Sequence, residues 1–268
     1  MATSHSPSKN WEATLQLRYH YDSAQAATRL QHCLVAAPLK VQRALYRSDS
    51  PQCQTILLHT AGGMVSGDRL EYEIQLEPQS QVYLTTATAG KIYRGLERWS
   101  QQAVRLTVET GAQVTWLPEP TILFEQAQYQ QAFTIDLGPD TQFKGGEIIR
   151  LGRTARGETF QQGHWRSQWK IRQNHQLIWA EQQQIIGSPQ LWDDYNGLHH
   201  QPILATYLEV GAVTSPERLN TVRQSAAAMI HQGEWGVTAT ATQGLLLRYR
   251  GSSTQEIQQL LQKLVRDT

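Results

Sequence analysis

Cysteine is scarce: Cys33 and Cys53 are the only two in 268 residues. They are too few and too far apart for a disulfide framework or a Cys-x-x-Cys zinc knuckle, so a reducing compartment is expected. Long apolar runs are absent as well. No stretch approaches the roughly 18 apolar residues of a membrane span, and the opening Met1–Trp11 is polar, without the apolar region of a signal peptide. Cytoplasmic residence and no membrane partner are the expectations. An excess of one charge is also missing. With 24 Lys plus Arg against 23 Asp plus Glu, no global field recruits nucleic acid or an anionic surface, and partners must be recognised by local surface. Local catalytic signatures do not occur: no phosphate loop, dinucleotide fingerprint, Gly-x-Ser-x-Gly elbow or Ser-x-x-Lys.

What is present is alternation. From Arg69 to Glu77, Leu70, Tyr72, Ile74 and Leu76 take one face and charged or amide residues the other, as in a half-buried strand. The same period recurs in Leu15, Leu17 and Tyr19, in Val104, Leu106 and Val108, in Phe133, Ile135 and Leu137, and in Trp165, Ser167, Trp169 and Ile171. Three segments share one layout of apolar residue, turn, Gln and apolar residue: Leu76–Val82, Val108–Val114 and Leu137–Phe143. They lie about 30 positions apart, the spacing of a strand pair stacked into layered sheets or a β-solenoid. Helices come late. Thr214-Ser-Pro-Glu217 starts one with an apolar stripe of Leu219, Val222, Ala226, Met229 and Ile230, and Ser253 with Glu256 caps another carrying Ile257, Leu260, Leu261, Leu264 and Val265. Gly236 to Arg250 reads as two strands between them. The predicted fold is therefore mostly β, layered or β-helix-like, with two C-terminal helices. It forms a single domain over 13–268 behind a flexible segment 1–12.

The stretch His59-Thr-Ala-Gly-Gly-Met-Val-Ser-Gly-Asp68 concentrates Gly62, Gly63 and Gly67, which free the backbone for φ > 0 and close approach. Asp68 would oppose phosphate, so on its own residues the stretch is a tight turn before the strand at Arg69, with Asp68 accepting from turn amides. Histidines are badly spaced for a closed metal site. Asp193, Asp194, His199 and His200 form the densest group of possible ligands, fit for weak binding and, as an alternative, for a metal-dependent hydrolase. Arg150, Arg153 and Arg156, followed by Glu158, lie at a strand end where arginines grip carboxylates on a partner or within the fold. Trp165, Trp169 and Trp179 serve as core or as interface anchors. A β-solenoid module binding carbohydrate or protein is a further alternative.

Four blocks in order, His59–Leu70, Thr85-Thr-Ala-Thr-Ala-Gly-Lys-Ile-Tyr-Arg94, Trp116-Leu-Pro-Glu-Pro-Thr-Ile-Leu-Phe124 and Leu151-Gly-Arg-Thr-Ala-Arg-Gly-Glu158, together resemble the urease accessory protein UreD family. Thr60-Ala61 stands where many members carry two prolines, and Glu119-Pro120 where many have Gln-Glu, so no role is carried to Pro120. The resemblance implies a non-enzymatic scaffold that complexes with UreF and the GTPase UreG and helps insert Ni2+ into urease apoprotein. It implies no tightly bound cofactor, only Ni2+ in transit along a weakly coordinating interior route. Asp68, Thr86 and Glu181 are the residues expected to line that route. Lys91, Tyr93, Arg94, Arg153, Arg156 and Glu158 are expected to shape the fold or a partner surface. Tight His or Cys ligation would trap the ion, whereas isolated carboxylates, hydroxyls and waters can pass it on.

Overall fold

A strand with one apolar face must bury that face against another layer, and here the layers are two sheets of one coil. The computed structural model describes residues 10–95 and 98–266. In chain order the strands are β1 (Glu12–Asp22), β2 (Ala27–Val35), β3 (Leu39–Tyr46), β4 (Cys53–His59), β5 (Arg69–Leu76), β6 (Gln81–Thr86), β7 (Gly90–Ile92), β8 (Ser100–Val108), β9 (Gln113–Trp116), β10 (Thr121–Leu123), β11 (Gln128–Leu137), β12 (Gln142–Leu151), β13 (His164–Gln173) and β14 (Gln176–Ile186). After these come α1 (Pro189–Asp193), β15 (Ile203–Val210), α2 (Pro216–Met229), β16 (Gly233–Ala239), β17 (Leu245–Gly251) and α3 (Thr254–Arg266).

The first sheet has the order β14-β13-β11-β8-β5-β1-β2, and the second runs β16-β17-β15-β12-β9-β6-β4-β3. Successive turns of the coil place β1, β5, β8, β11 and β13 parallel in the first sheet. They place β4, β6, β9 and β12 parallel in the second. The threefold repeat of the sequence is this stacking. Leu76 pairs with Val108 and Val108 with Leu137; Gln81 pairs with Gln113 and Gln113 with Gln142; Val82, Val114 and Phe143 follow in the same register. Because side chains alternate with period two, that register keeps Val82, Val114 and Phe143 inside, with Gln81 and Gln113 on the opposite face. Antiparallel strands end the coil: β2 on β1, β14 on β13, β3 on β4 and β15 on β12. The β13–β14 turn has Asn174 and His175 both at positive φ, the twist a tight hairpin requires.

Between the sheets lies an aromatic spine. Tyr72 meets Trp116 edge-on at 6.1 Å, Trp116 meets Phe133 at 6.2 Å, and Phe133 stacks on Trp169 at 3.9 Å. Trp165 and Trp169 are thus core residues, 1% and 2% exposed, while Trp179 is partly buried against them. A second core forms where α2 and α3 cover the outer side of the second sheet. There Val222, Ala226, Ile257, Leu260, Leu261 and Leu264 pack with Ala205, Tyr207 and Leu247. The two expected helices start as their caps predict: Ser215 accepts from the Arg218 amide and Ser253 from the Glu256 amide.

Three details differ from expectation. A five-residue helix, α1, precedes the other two, set by Ser188 as cap and Pro189 in its first turn. The first of the two strands before α3 starts at Gly233 rather than Gly236. The segment 1–12 was expected to be flexible throughout. Residues 1–9 lie outside the described residues, but Trp11 is tied to Asp68 and Arg69, and Glu12 already pairs with Arg69 in β1. No helix among the described residues is long and apolar enough to cross a membrane.

Candidate functional site

Each of the four parallel strands of the second sheet hands the chain back to the first through one of the four blocks singled out in the sequence. β4 ends at His59, β6 at Thr86, β9 at Trp116 and β12 at Leu151. These four returns stack into a third wall. Met64 bridges Ile92, Ile92 pairs with Leu123, and Leu123 with Leu151, all in parallel and all buried. Gly63, at φ +154°, is what lets the first return lie so close to the second. A Cβ there would sit 2.6 Å from the Tyr93 ring and 2.7 Å from the Lys91 carbonyl oxygen. Gly62 and Gly67 also take positive φ; the Gly62 carbonyl accepts from the Tyr93 hydroxyl at 3.3 Å.

The residues expected to shape fold or surface meet on this wall. Tyr93 stands edge-on to Phe124 at 5.0 Å, and the Arg153 guanidinium covers the other part of Phe124 at 4.2 Å. Arg153 also forks onto Glu158 within its own loop, holding that carboxyl below its usual range, so this arginine is spent inside the chain. Lys91 and Arg94 are exposed on the wall, and Arg156 is exposed in a single 3-10 turn, Thr154–Arg156.

Behind the wall is a cavity of about 350 Å³. His59, Thr86, Gln102, Glu119, Gln131 and Glu147 supply its polar side, Tyr72, Trp116 and Phe133 its aromatic side. Glu147 is the chemical centre. It projects inward from β12, is 5% exposed, and accepts from Gln131 Nε2, from Ser167 Oγ at 3.1 Å and from Trp169 Nε1 at 3.1 Å. Burial pushes its carboxyl up to about 7 against the pull of the Trp169 and Ser167 bonds, and the nearby Glu181 pushes in the same direction as burial. A carboxylate with three donors and little water changes charge near neutrality and can exchange a proton for a cation. His59 adds an imidazole that burial drives towards its neutral form, and its Nε2 has no hydrogen-bond partner.

Of the three expected route residues, Thr86 lines this cavity. Its hydroxyl accepts from the Glu119 amide at 2.9 Å and donates to the Thr88 carbonyl at 3.2 Å. Glu181, on β14, lies beyond Glu147: it pairs with Arg248, accepts from Gln183 at 2.6 Å, and keeps one buried oxygen without a partner. Asp68 is fully buried but outside the cavity lining. Its oxygens accept from the amides of Trp11 at 2.9 Å and Val65 at 2.8 Å, the turn geometry expected from its own neighbours, and its charge reaches His59.

Glu147 is not singled out by sequence, and Glu119 and His59 are named there only within the family blocks, without a role. Glu147 carried a signal nonetheless, since a carboxylate between Gly145-Gly146 and Ile148-Ile149 stands in an apolar strand where backbones approach closely. The Asp193, Asp194, His199 and His200 group does not assemble. His200 comes only to 3.8 Å of Asp193, both histidines face aromatic neighbours, and among the described residues no three His, Cys, Asp or Glu side chains stand together so as to hold a metal. A hydrolytic metal centre there has no geometric basis.

Comparison with known proteins agrees over the whole coil. The profile of a family described as UreD urease accessory protein matches residues 12–267. The urease accessory protein UreD of Synechocystis sp. is 51% identical over 263 residues, covering 98% of this chain and 97% of that one. That of Nostoc punctiforme is 42% identical over 250 residues, 93% of this chain and 87% of its own. That of Acaryochloris marina is 40% identical over 250 residues, with 93% and 87% covered.

Proposed function

The chain belongs to the UreD urease accessory protein family, and from that premise we propose that it is a non-catalytic nickel-delivery scaffold, working with UreF and the GTPase UreG on urease apoprotein. A role in urease maturation comes with the family. The passage of Ni2+ through the interior is the further step, and one observation carries it: a buried carboxyl, Glu147, held by three donors inside a cavity lined by the first three of the four family blocks.

The donor set suits transit. Single carboxylates at Glu119, Glu147 and Glu181, a hydroxyl at Thr86 and one unpartnered imidazole nitrogen at His59 are spread along the interior rather than gathered into a chelate. Such donors with water hold a divalent ion weakly enough to release it. Glu147 is central because ionisation near neutrality lets it take Ni2+ by giving up a proton and take the proton back when the ion leaves. Glu181 continues the path behind it, with Arg248 balancing its charge. Asp68 enters through its field on His59 and by fixing the first return of the wall, not as a lining group. Residence in the cytoplasm, where urease is assembled, completes the reading.

Reconstitution tests it: urease apoprotein, UreF, UreG, GTP, bicarbonate and nickel are combined with and without this chain. Urease activity and nickel content are expected to rise only with the chain present. Equal activation without it rejects the role.

A further inference from the structure

The inner cavity and an outer groove share part of their lining. A groove of about 760 Å³ runs over the outer face of β6, β9 and β12, walled by Gln262, Val265 and Arg266 of α3. Its lining and that of the inner cavity have only Thr86 and Glu119 in common. The two linings differ in their charged groups. The groove carries Arg47, Lys144 and Arg266, with Glu119 its one negative side chain; the cavity carries Glu119 and Glu147 against Lys91. A divalent cation in the groove meets Lys144 and Arg266 there, with Arg47 paired to Asp49, and Glu119 is the one carboxylate common to both linings.

Glu119 is also held in place. Proline on either side fixes the backbone, and its amide is bonded to Thr86. Its carboxylate accepts from Gln258 Nε2 at 2.6 Å, on a helix anchored by Ile257, Leu260, Leu261 and Leu264. A neutral amide fixes the carboxylate without cancelling its charge, as an arginine would. We propose that Glu119 is the selectivity residue at the mouth of the cavity, admitting a hydrated divalent transition-metal cation between groove and interior, with Gln258 as its positioning residue. One carboxylate, the Thr86 hydroxyl and retained waters make a station the ion can leave.

Resting as it does on Ni2+ passing through the cavity, this role is tested beside that premise in one series. The full chain is co-produced with urease and the other accessory proteins at limiting and at saturating nickel, and nickel per urease is measured for Glu119→Gln, Gln258→Ala and Glu147→Gln. Glu119→Gln should lower loading at limiting nickel roughly tenfold, the low end of what losing a supporting group beside a metal costs, with recovery at saturating nickel. Gln258→Ala should give a smaller loss with the same recovery and an intact accessory complex. Full loading by Glu119→Gln while Glu147→Gln loses nickel overturns the mouth and leaves the route standing. Full loading by both removes the route and the mouth with it. Should Glu119→Gln fail to assemble, Glu119→Asp is read instead. Its shorter arm must raise the nickel concentration needed for half loading, and an unshifted value overturns the assignment.

Discussion

Each rung of the coil has two ends, and they differ in kind. Where the first sheet passes into the second, the turns are short and alike: Leu76, Val108 and Leu137 stack, Gln81, Gln113 and Gln142 follow in register, and Thr141 satisfies the Gly138 carbonyl locally. Where the second sheet returns to the first, no two connections are alike. The wall strands β7 and β10 are three residues long, and Thr86 and Glu119 line a void that also reaches Glu147 within β12. Repetition makes the coil rigid at one end of the rung, and departure from repetition places the polar groups at the other.

The contrast breaks first if the two ends prove energetically equal. Trp169→Ala, which removes the ring between Phe133 and Phe143, should cost about 3–5 kcal/mol of unfolding free energy, whereas Gln113→Ala on the turn side should stay within about 0.5 kcal/mol. Denaturant unfolding of both variants decides it, and similar midpoints would contradict the account.

Next in size is the titration of the buried carboxyl. Glu147 binds its proton more tightly folded than unfolded, from an ordinary value of 4.5 up to about 7, so the native state holds the extra proton between those values. Native stability attributable to this group is therefore full below about pH 4.5 and falls by about 3 kcal/mol as pH rises to about 7, staying flat above. Glu147→Gln should lack that component. Stability followed against pH in both proteins checks it, and parallel curves would exclude a raised carboxyl.

The smallest effect sharpens the wall itself. Gly63→Ala, forced against Tyr93 and the Lys91 carbonyl, should destabilise by about 1–3 kcal/mol. Thermal unfolding measures it, and an unchanged midpoint would mean the first two returns are not in close contact.

The same contrast explains what could be read from sequence. Alternation in Arg69–Glu77 and the threefold Gln layout revealed strands and stacking because a side chain that recurs at fixed register leaves a period. Ser253 and Ser215 revealed the helices because a cap is a local bond. The wall left no period: Met64, Ile92, Leu123 and Leu151 form one ladder, yet they come from four unlike loops and strands too short to alternate. Glu147 was hidden for a related reason. Its donors Gln131, Ser167 and Trp169 belong to two other strands, so only the fold brings them to one carboxylate. Resemblance to a family located the blocks; it took their stacking to show that the first three line a common space.

Passage through that space is most directly tested by filling it. Ala89 lines the cavity on the second return, and Ala89→Trp adds bulk there while leaving every carboxylate in the sequence. Nickel per urease is then measured after co-production at limiting nickel, with assembly of the accessory complex confirmed alongside. The account predicts that loading falls to the level seen without this chain while the complex remains assembled. Full nickel content, with the indole in place and the cavity closed, would contradict it.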